Sequence, residues 1–207
     1  MKKEEAMRKW LLILLIVVIV IIASGLYFIM KGPDLSKYEY LKEPQITKMA
    51  DQTMLVVEAV GDPNVAGQKA FSTLYQTYFK LKNNEKRMDI APRARWPLPF
   101  DTPKDKWIGK YALPVSQTAE LPDNFKQADP NLRVRITTWK YGEVAEILHI
   151  GPYGTEPSTF AKLDQLVKAR GYRITGEHEE EYIKGPGMFG PGNPKKYYTI
   201  IRYAVSK

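Results

Sequence analysis

The chain has 207 residues, 15 prolines, 14 glycines and no cysteine, and it carries a formal net charge of +8. The absence of thiols excludes disulfides and thiolate metal sites. The basic excess is spread along the chain rather than gathered in a stripe, so no nucleic-acid partner is expected; solubility or attraction to anionic lipid accounts for it.

Residues 1–9 form a basic N-terminal segment. From Trp10 to Met30 there are 21 residues without a charge. As a helix this run would span roughly 30 Å, about the hydrocarbon thickness of a bilayer. A cleaved signal peptide is the alternative, with Ala23-Ser24-Gly25 as its small-residue site. The apolar run continues through Leu26-Tyr27-Phe28-Ile29-Met30, longer than a usual signal core, and favours a transmembrane helix over 10–30. Lys2, Lys3, Arg8 and Lys9 precede the span, against Lys31, Lys37 and Lys42 after it. That bias predicts a single-pass protein of the cell membrane, N-terminus in the cytoplasm and domain in the periplasm or outside. Residues 31–43, with Gly32-Pro33, read as a juxtamembrane tether. Residues 44–207 are enough for one domain with a sizeable core.

That domain nearly repeats itself. Val56 to Val60 is followed by Gly61-Asp62-Pro63 and an amphipathic run to Lys82, on which Ala70, Leu74, Tyr78 and Leu81 share a helical face. Ala91 to Pro103, centred on Arg95-Trp96-Pro97, reads as irregular or as a short edge strand. Trp107 to Leu113 is a strand. Ser116 to Asn131, with Pro122 and Pro130, reads as a linker. The second half opens with Arg133 to Trp139, is broken at Tyr141-Gly142, and resumes from Val144 to Ile150. A helix from Pro157 to Arg170 buries Phe160, Leu163, Leu166 and Val167 and stops at Gly171. Strands follow at 172–184 and 197–205, separated by the Gly/Pro-rich loop 185–194, a long hairpin loop or a lid. Gly151 stands 90 residues after Gly61, and Tyr203 stands 92 after Tyr111. The expected fold is therefore α+β: duplicated strand–helix–strand–strand units, halves at about 46–115 and 132–205, related by a pseudo-twofold. They form an antiparallel sheet with two helices, preceded by one transmembrane helix.

The run Glu177-His178-Glu179-Glu180-Glu181-Tyr182-Ile183 carries the most unusual chemistry. Alternation puts His178, Glu180 and Tyr182 on one face and Glu179, Glu181 and Ile183 on the other. Two readings stand: an edge strand with both acidic faces in water, or one carboxylate aimed into an apolar cleft, where it would attract a cation or act as acid or base. Glu179 and Glu181 are expected to be solvated. Trp96, Trp107, Tyr111, Trp139 and Tyr141 are candidate cleft walls, with ordinary core packing as the alternative. His149 reads as a strand histidine satisfied by hydrogen bonds. His178 with Glu180 has metal-ligand chemistry on one strand face, but no metal and no cofactor are expected.

His149-Ile150-Gly151-Pro152-Tyr153, then a helix ending in Gly171-Tyr172, then Glu180-Glu181-Tyr182-Ile183 and a final strand resemble the GyrI-like (gyrase-inhibitor-like) small-molecule-binding domain. That family includes the drug-binding domains of some bacterial transcription regulators of the MerR and AraC types. The resemblance covers about 46–205 and departs at the 185–194 loop. It implies two related units around an aromatic cleft with a glutamate in its wall: Glu180, with Tyr182 beside it and Tyr153 at the strand-to-helix turn. The expected function is membrane-anchored binding of amphipathic or cationic organic ligands, using Glu180, Tyr182, Tyr153, Trp96, Trp107, Tyr111, Trp139 and Tyr141. The alternatives are a hydrolase acting on reactive small molecules, with Glu180 as general base and Tyr182 as donor, and a membrane-anchored protein-interaction adaptor.

Overall fold

A computed structural model describes residues 8, 10–21, 33–127, 129–186 and 192–207. The chain divides into two units, residues 1–34 and residues 35–207. In the first, residues 10–21 are helical and their apolar side chains are exposed. Residues 22–30 of the expected span lie outside the described residues. No helix among the described residues is long and apolar enough to cross a membrane. The expectations of a transmembrane helix and of a single-pass membrane location are corrected accordingly.

The second unit is built on one antiparallel sheet. Its strands are β1 (Gln45–Met49), β2 (Gln52–Val60), β3 (Arg93–Trp96), β4 (Ile108–Pro114), β5 (Val134–Trp139), β6 (Gly142–Ile150), β7 (Arg173–Ile174), β8 (His178–Lys184) and β9 (Tyr198–Ser206). They pair in the order β1-β6-β9-β8-β3-β4-β2-β5, and β7 adds to the end of β9. The helices are α1 (Pro63–Tyr78) and α2 (Glu156–Ala169).

The expected fold class is corrected here as well. Its four-element units account for β2 to β4 with α1 and for β6, β8 and β9 with α2. The sheet runs on past both, through β1 at one edge and β5 at the other. Twist accumulates from strand to strand, and over this many strands it curls the whole into a half-barrel. The stretch before Gly61 forms two strands, β1 and β2, which pair with opposite ends of the sheet. β3 is no edge strand. Pro92 and Pro97 limit it to four residues, but it pairs with β4 on one side and β8 on the other.

Local chemistry sets the helix ends. Asp62 caps α1 by accepting from the Asn64 N–H, and Pro63 supplies a ready-made first-turn φ. α2 ends where Gly171 takes φ +71°. There the Tyr172 N–H reaches the Val167 carbonyl and the Gly171 N–H the Lys168 carbonyl, a Schellman motif.

Both helices lie on one sheet face. α1 buries Ala70, Leu74 and Tyr78 against Leu55, Val57, Tyr111 and Leu113. α2 buries Leu163 and Val167 against Ala145, Ile147 and Ile201. Each large apolar side chain fully buried here contributes about 1.5–3 kcal/mol. On the opposite face a 3-10 helix, Ser36–Lys42, seats Leu41 among Leu148, Ile183 and Ile200.

Candidate functional site

β8 runs through the middle of the sheet. Glu180 lies opposite Ala94 of β3 and Ile201 of β9, both on the helix face. The edge-strand reading, with both acidic faces in water, is set aside by this double pairing. Alternation places His178, Glu180 and Tyr182 under the helices and Glu179 and Glu181 on the other side.

On the helix face, Glu180 is 7% exposed. Its Oε1 lies 2.9 Å from His178 Nε2, and the Tyr182 hydroxyl donates to its Oε2 at 2.6 Å. His178 Nδ1 lies 2.5 Å from the Tyr203 hydroxyl. Glu156, the first residue of α2, turns its side chain into the same cluster. It is 9% exposed, and its Oε1 is buried without a hydrogen-bond partner among the described residues. Burial first, and then the Glu180 charge, push its carboxyl up to about 9. Among the described residues, no lysine or arginine bonds to either carboxylate.

Rings surround the pair. Tyr153 meets Tyr182 at 5.7 Å, Phe71 meets Tyr182 at 5.9 Å and Tyr111 at 5.1 Å, and Trp96 meets Tyr111 at 5.6 Å, all edge-on. Trp107 tilts against Trp96, and Phe100 covers His178. The phenols of Tyr111, Tyr153, Tyr182 and Tyr203 are all pushed up, by burial and then by the charge of Glu180.

Two short-range devices aim these groups. A Cβ on Gly67 of α1 or on Gly109 of β4 would stand 3.2 Å or 2.5 Å from the Tyr111 ring. The two glycines therefore open the slot that Tyr111 fills. Gly in a helix interior is unfavourable by roughly 0.5–1 kcal/mol relative to Ala, so Gly67 is retained against its propensity. At the start of α2, buried His149 bonds Thr159 through Nδ1 and approaches Pro152 O and Thr155 Oγ1 through Nε2. It pins the turn that delivers Tyr153 and Glu156.

The opposite face of β8 is organised by arginines. Arg202 bonds Glu146 Oε2 through Nε at 3.0 Å and Nη2 at 2.8 Å, and its Nη1 reaches Glu179 at 2.8 Å and Glu181 at 3.2 Å. Arg95 bonds Glu179 at 2.7 Å, and Arg93 pairs with Glu181 at 3.1 Å. Tyr141 accepts from Arg93 and donates to Glu179, while the Arg95 guanidinium lies 4.0 Å over the Trp139 ring. Burial alone would push Glu179 up; Arg202, Arg95 and Arg93 outweigh it and hold its carboxyl below the usual range. At 2% exposure, Glu179 is not the solvated residue that alternation suggested.

Of the residues singled out in the sequence, Glu180, Tyr182, Tyr153, Tyr111, Trp96 and Trp107 lie together on the helix face. Trp139 and Tyr141 lie with the arginines instead. Sequence reasoning missed Glu156, Tyr203, Phe71 and Phe100. Only Tyr203 carried a signal, through its offset from Tyr111. Two open cavities lie away from Glu180: about 420 Å³ beside β1 and α2, and about 280 Å³ on the arginine face, lined by Arg95, Tyr141, Glu179 and Arg202 among others. Part of the proposed lid loop, 187–191, lies outside the described residues.

Residues 42–203 match the family described as the GyrI-like small molecule binding domain. No curated protein sequence matches the chain. Among solved structures, a conserved protein of Listeria innocua is 24% identical with a TM-score of 0.60, covering 84% of this chain and 99% of its own. A hydrolase from Listeria innocua is 22% identical, also at 0.60, covering 84% of this chain and 100% of its own. The C-terminal domain of EcmrR is 15% identical at 0.56, covering 80% of this chain and 98% of its own. At these identities the likeness is one of fold.

Proposed function

The chain belongs to the GyrI-like small-molecule-binding family, and from that premise we propose that it binds amphipathic organic cations between the helix-face rings and Glu180. One observation carries this reading. Two buried carboxylates, Glu156 and Glu180, stand among aromatic rings with no lysine or arginine bonded to them among the described residues. A lipophilic cation meets both needs of such a site. Its charge pairs with the carboxylate, and its apolar body lies against ring faces, each cation–π contact adding about 0.5–2 kcal/mol. Glu180 is the charge partner, held in place by His178 and Tyr182. Tyr153, Tyr111 and Trp96 supply the walls. Of these three walls Tyr153, at 36%, is the most exposed and the one best placed to move aside for a ligand.

Titration of a lipophilic cationic dye tests this. Glu180→Gln should raise the dye Kd tenfold or more, while Trp139→Phe, on the arginine face, should leave it unchanged. Equal affinities across wild type and Glu180→Gln would overturn the reading.

A second reading is hydrolysis of a strained electrophile, with Glu180 as general base. The observation favouring it is the 2.6 Å hydrogen bond from Tyr182 to Glu180, which holds a donor beside the base. Turnover of such a probe, lost in Glu180→Gln, would establish it. Dye binding without turnover would leave binding alone.

A further inference from the structure

We propose that Glu156, His178 and Glu180 form a binding site for a divalent metal ion of the zinc type, a function separate from cation binding but sharing one carboxylate with it.

The geometry is the first argument. One ligand atom from each of the three residues lies within 4.8 Å of the other two. Zinc takes nitrogen and oxygen donors at about 2.0–2.2 Å, so two donors on one tetrahedral ion stand roughly 3.3 Å apart. His178 Nε2 and Glu180 Oε1 are already 2.9 Å apart. Spacing of two along β8 puts both on one face, and Glu156 comes from a separate element, the start of α2. Closing the set requires the three ligand atoms, now within 4.8 Å of one another, to draw in to the tetrahedral spacing.

The surroundings are the second argument. Metal-ligating histidines are usually oriented by a hydrogen bond to the other ring nitrogen, and ligating carboxylates by a bond to the second oxygen. Both supports are present. Tyr203 OH holds His178 Nδ1 at 2.5 Å, and Tyr182 OH holds Glu180 Oε2 at 2.6 Å. These contacts leave Nε2 and Oε1 turned toward the cluster. The third ligand is the one with an unmet need: Glu156 Oε1 is buried and without a partner among the described residues.

Charge is the third. Each buried carboxylate on the other face of β8 has arginine partners. Glu156 and Glu180 have none among the described residues, and one divalent ion, displacing the Glu156 proton, would neutralise both. Donor type narrows the ion. With no cysteine in the chain, soft thiolate chemistry is excluded. One imidazole with two carboxylates suits Zn²⁺, and Co²⁺ is its spectroscopic substitute. A fourth position would face the rings, where water or a ligand heteroatom can sit.

The full chain should bind one equivalent of Zn²⁺ by calorimetry. With Co²⁺ it should show visible bands of a low-coordinate site. Glu156→Gln and His178→Gln should each weaken Zn²⁺ at least thirtyfold and abolish the bands. Tyr203→Phe should weaken it about 10–100-fold while keeping them, the mark of a group that orients a ligand. Glu156→Gln keeps shape and can fold even where His178→Gln does not, so one informative variant remains. Absence of stoichiometric Zn²⁺, or full Zn²⁺ affinity in Glu156→Gln, would overturn the site. The dye titration runs in parallel on the same protein. Dye binding without Zn²⁺ removes the metal site and leaves the cation reading standing. Zn²⁺ binding without dye does the reverse. Displacement of dye by Zn²⁺ supports both, since both use Glu180.

Discussion

Glu179 and Glu180 are adjacent and both buried, 2% and 7% exposed, yet Glu179 meets Arg93, Arg95 and Arg202 whereas Glu180 meets a histidine and a tyrosine. A single peptide step carries the chain from one face of the sheet to the other and from one electrostatic regime to another. Beneath the sheet, three glutamates are matched by three arginines. Pairing of that kind matches the buried charges from within the fold. Above it, the carboxylates have no lysine or arginine partner among the described residues, and the rings around them are good partners for a cation. The first face should therefore be read through stability and the second through binding.

The most direct way to break this contrast is Arg202→Met. It removes the cation shared by Glu146, Glu179 and Glu181 and leaves buried charges unmatched. Loss of one partner of a buried ion pair costs about 3–5 kcal/mol, so chemical denaturation should show a drop of that size. A change below about 1 kcal/mol would mean that the network is not structural. Glu180→Gln is its counterpart. Removing a desolvated charge partner should cost about 2–5 kcal/mol of dye binding. Folding stability should move by less than about 1.5 kcal/mol, the size of one ordinary hydrogen bond. If Glu180→Gln unfolds the protein as Arg202→Met does, the two faces are not different in kind.

Tyr141→Phe comes next. Its hydroxyl bridges Arg93 and Glu179, and hydrogen bonds to charged groups contribute about 1.5–3 kcal/mol. Urea unfolding should register that loss while the dye affinity stays at the wild-type value. A weaker dye affinity with unchanged stability would place Tyr141 in the binding site after all.

Much of this was legible in the chain. The period-two pattern of 178–182 put Glu180 and Tyr182 on one face, because side-chain alternation is local. Asp62-Pro63 and Gly171 marked helix ends through capping chemistry, which is also local. What escaped depends on which strands become neighbours. Arg93 with Glu181, and Arg202 with Glu146, meet across sequence separations of 88 and 56 residues, and no periodicity encodes them. For the same reason Trp139 and Tyr141 could be recognised as aromatic but not assigned to a face. Glu156 was hidden differently. An acid in the first turn of a helix is an ordinary response to the macrodipole, so its turn inward leaves no trace in the sequence. Segment 10–30 shows the converse, a strong composition signal whose described helical part, residues 10–21, is too short to span a bilayer.

The smallest expected effect lies at the rim of the aromatic face. A Cβ at Gly185 would stand 2.8 Å from the Tyr153 hydroxyl and, among the described residues beyond its chain neighbours, within 4 Å of no other heavy atom. Gly185 has no positive φ, so alanine fits its backbone and only the ring must give way. Tyr153 is part-exposed and can tilt, so Gly185→Ala should change stability by no more than about 0.5 kcal/mol. The tilt moves Tyr153 relative to Tyr182 and Tyr197, its ring neighbours at 5.7 Å and 5.4 Å. If Tyr153 is a wall of the cation site, dye affinity should fall by about threefold, roughly 0.6 kcal/mol. If the cation lies on the helix face, no equivalent change on the arginine face should produce that result. An unchanged dye affinity would take Tyr153 out of the wall. A loss beyond tenfold would move it from the rim to the centre of the site.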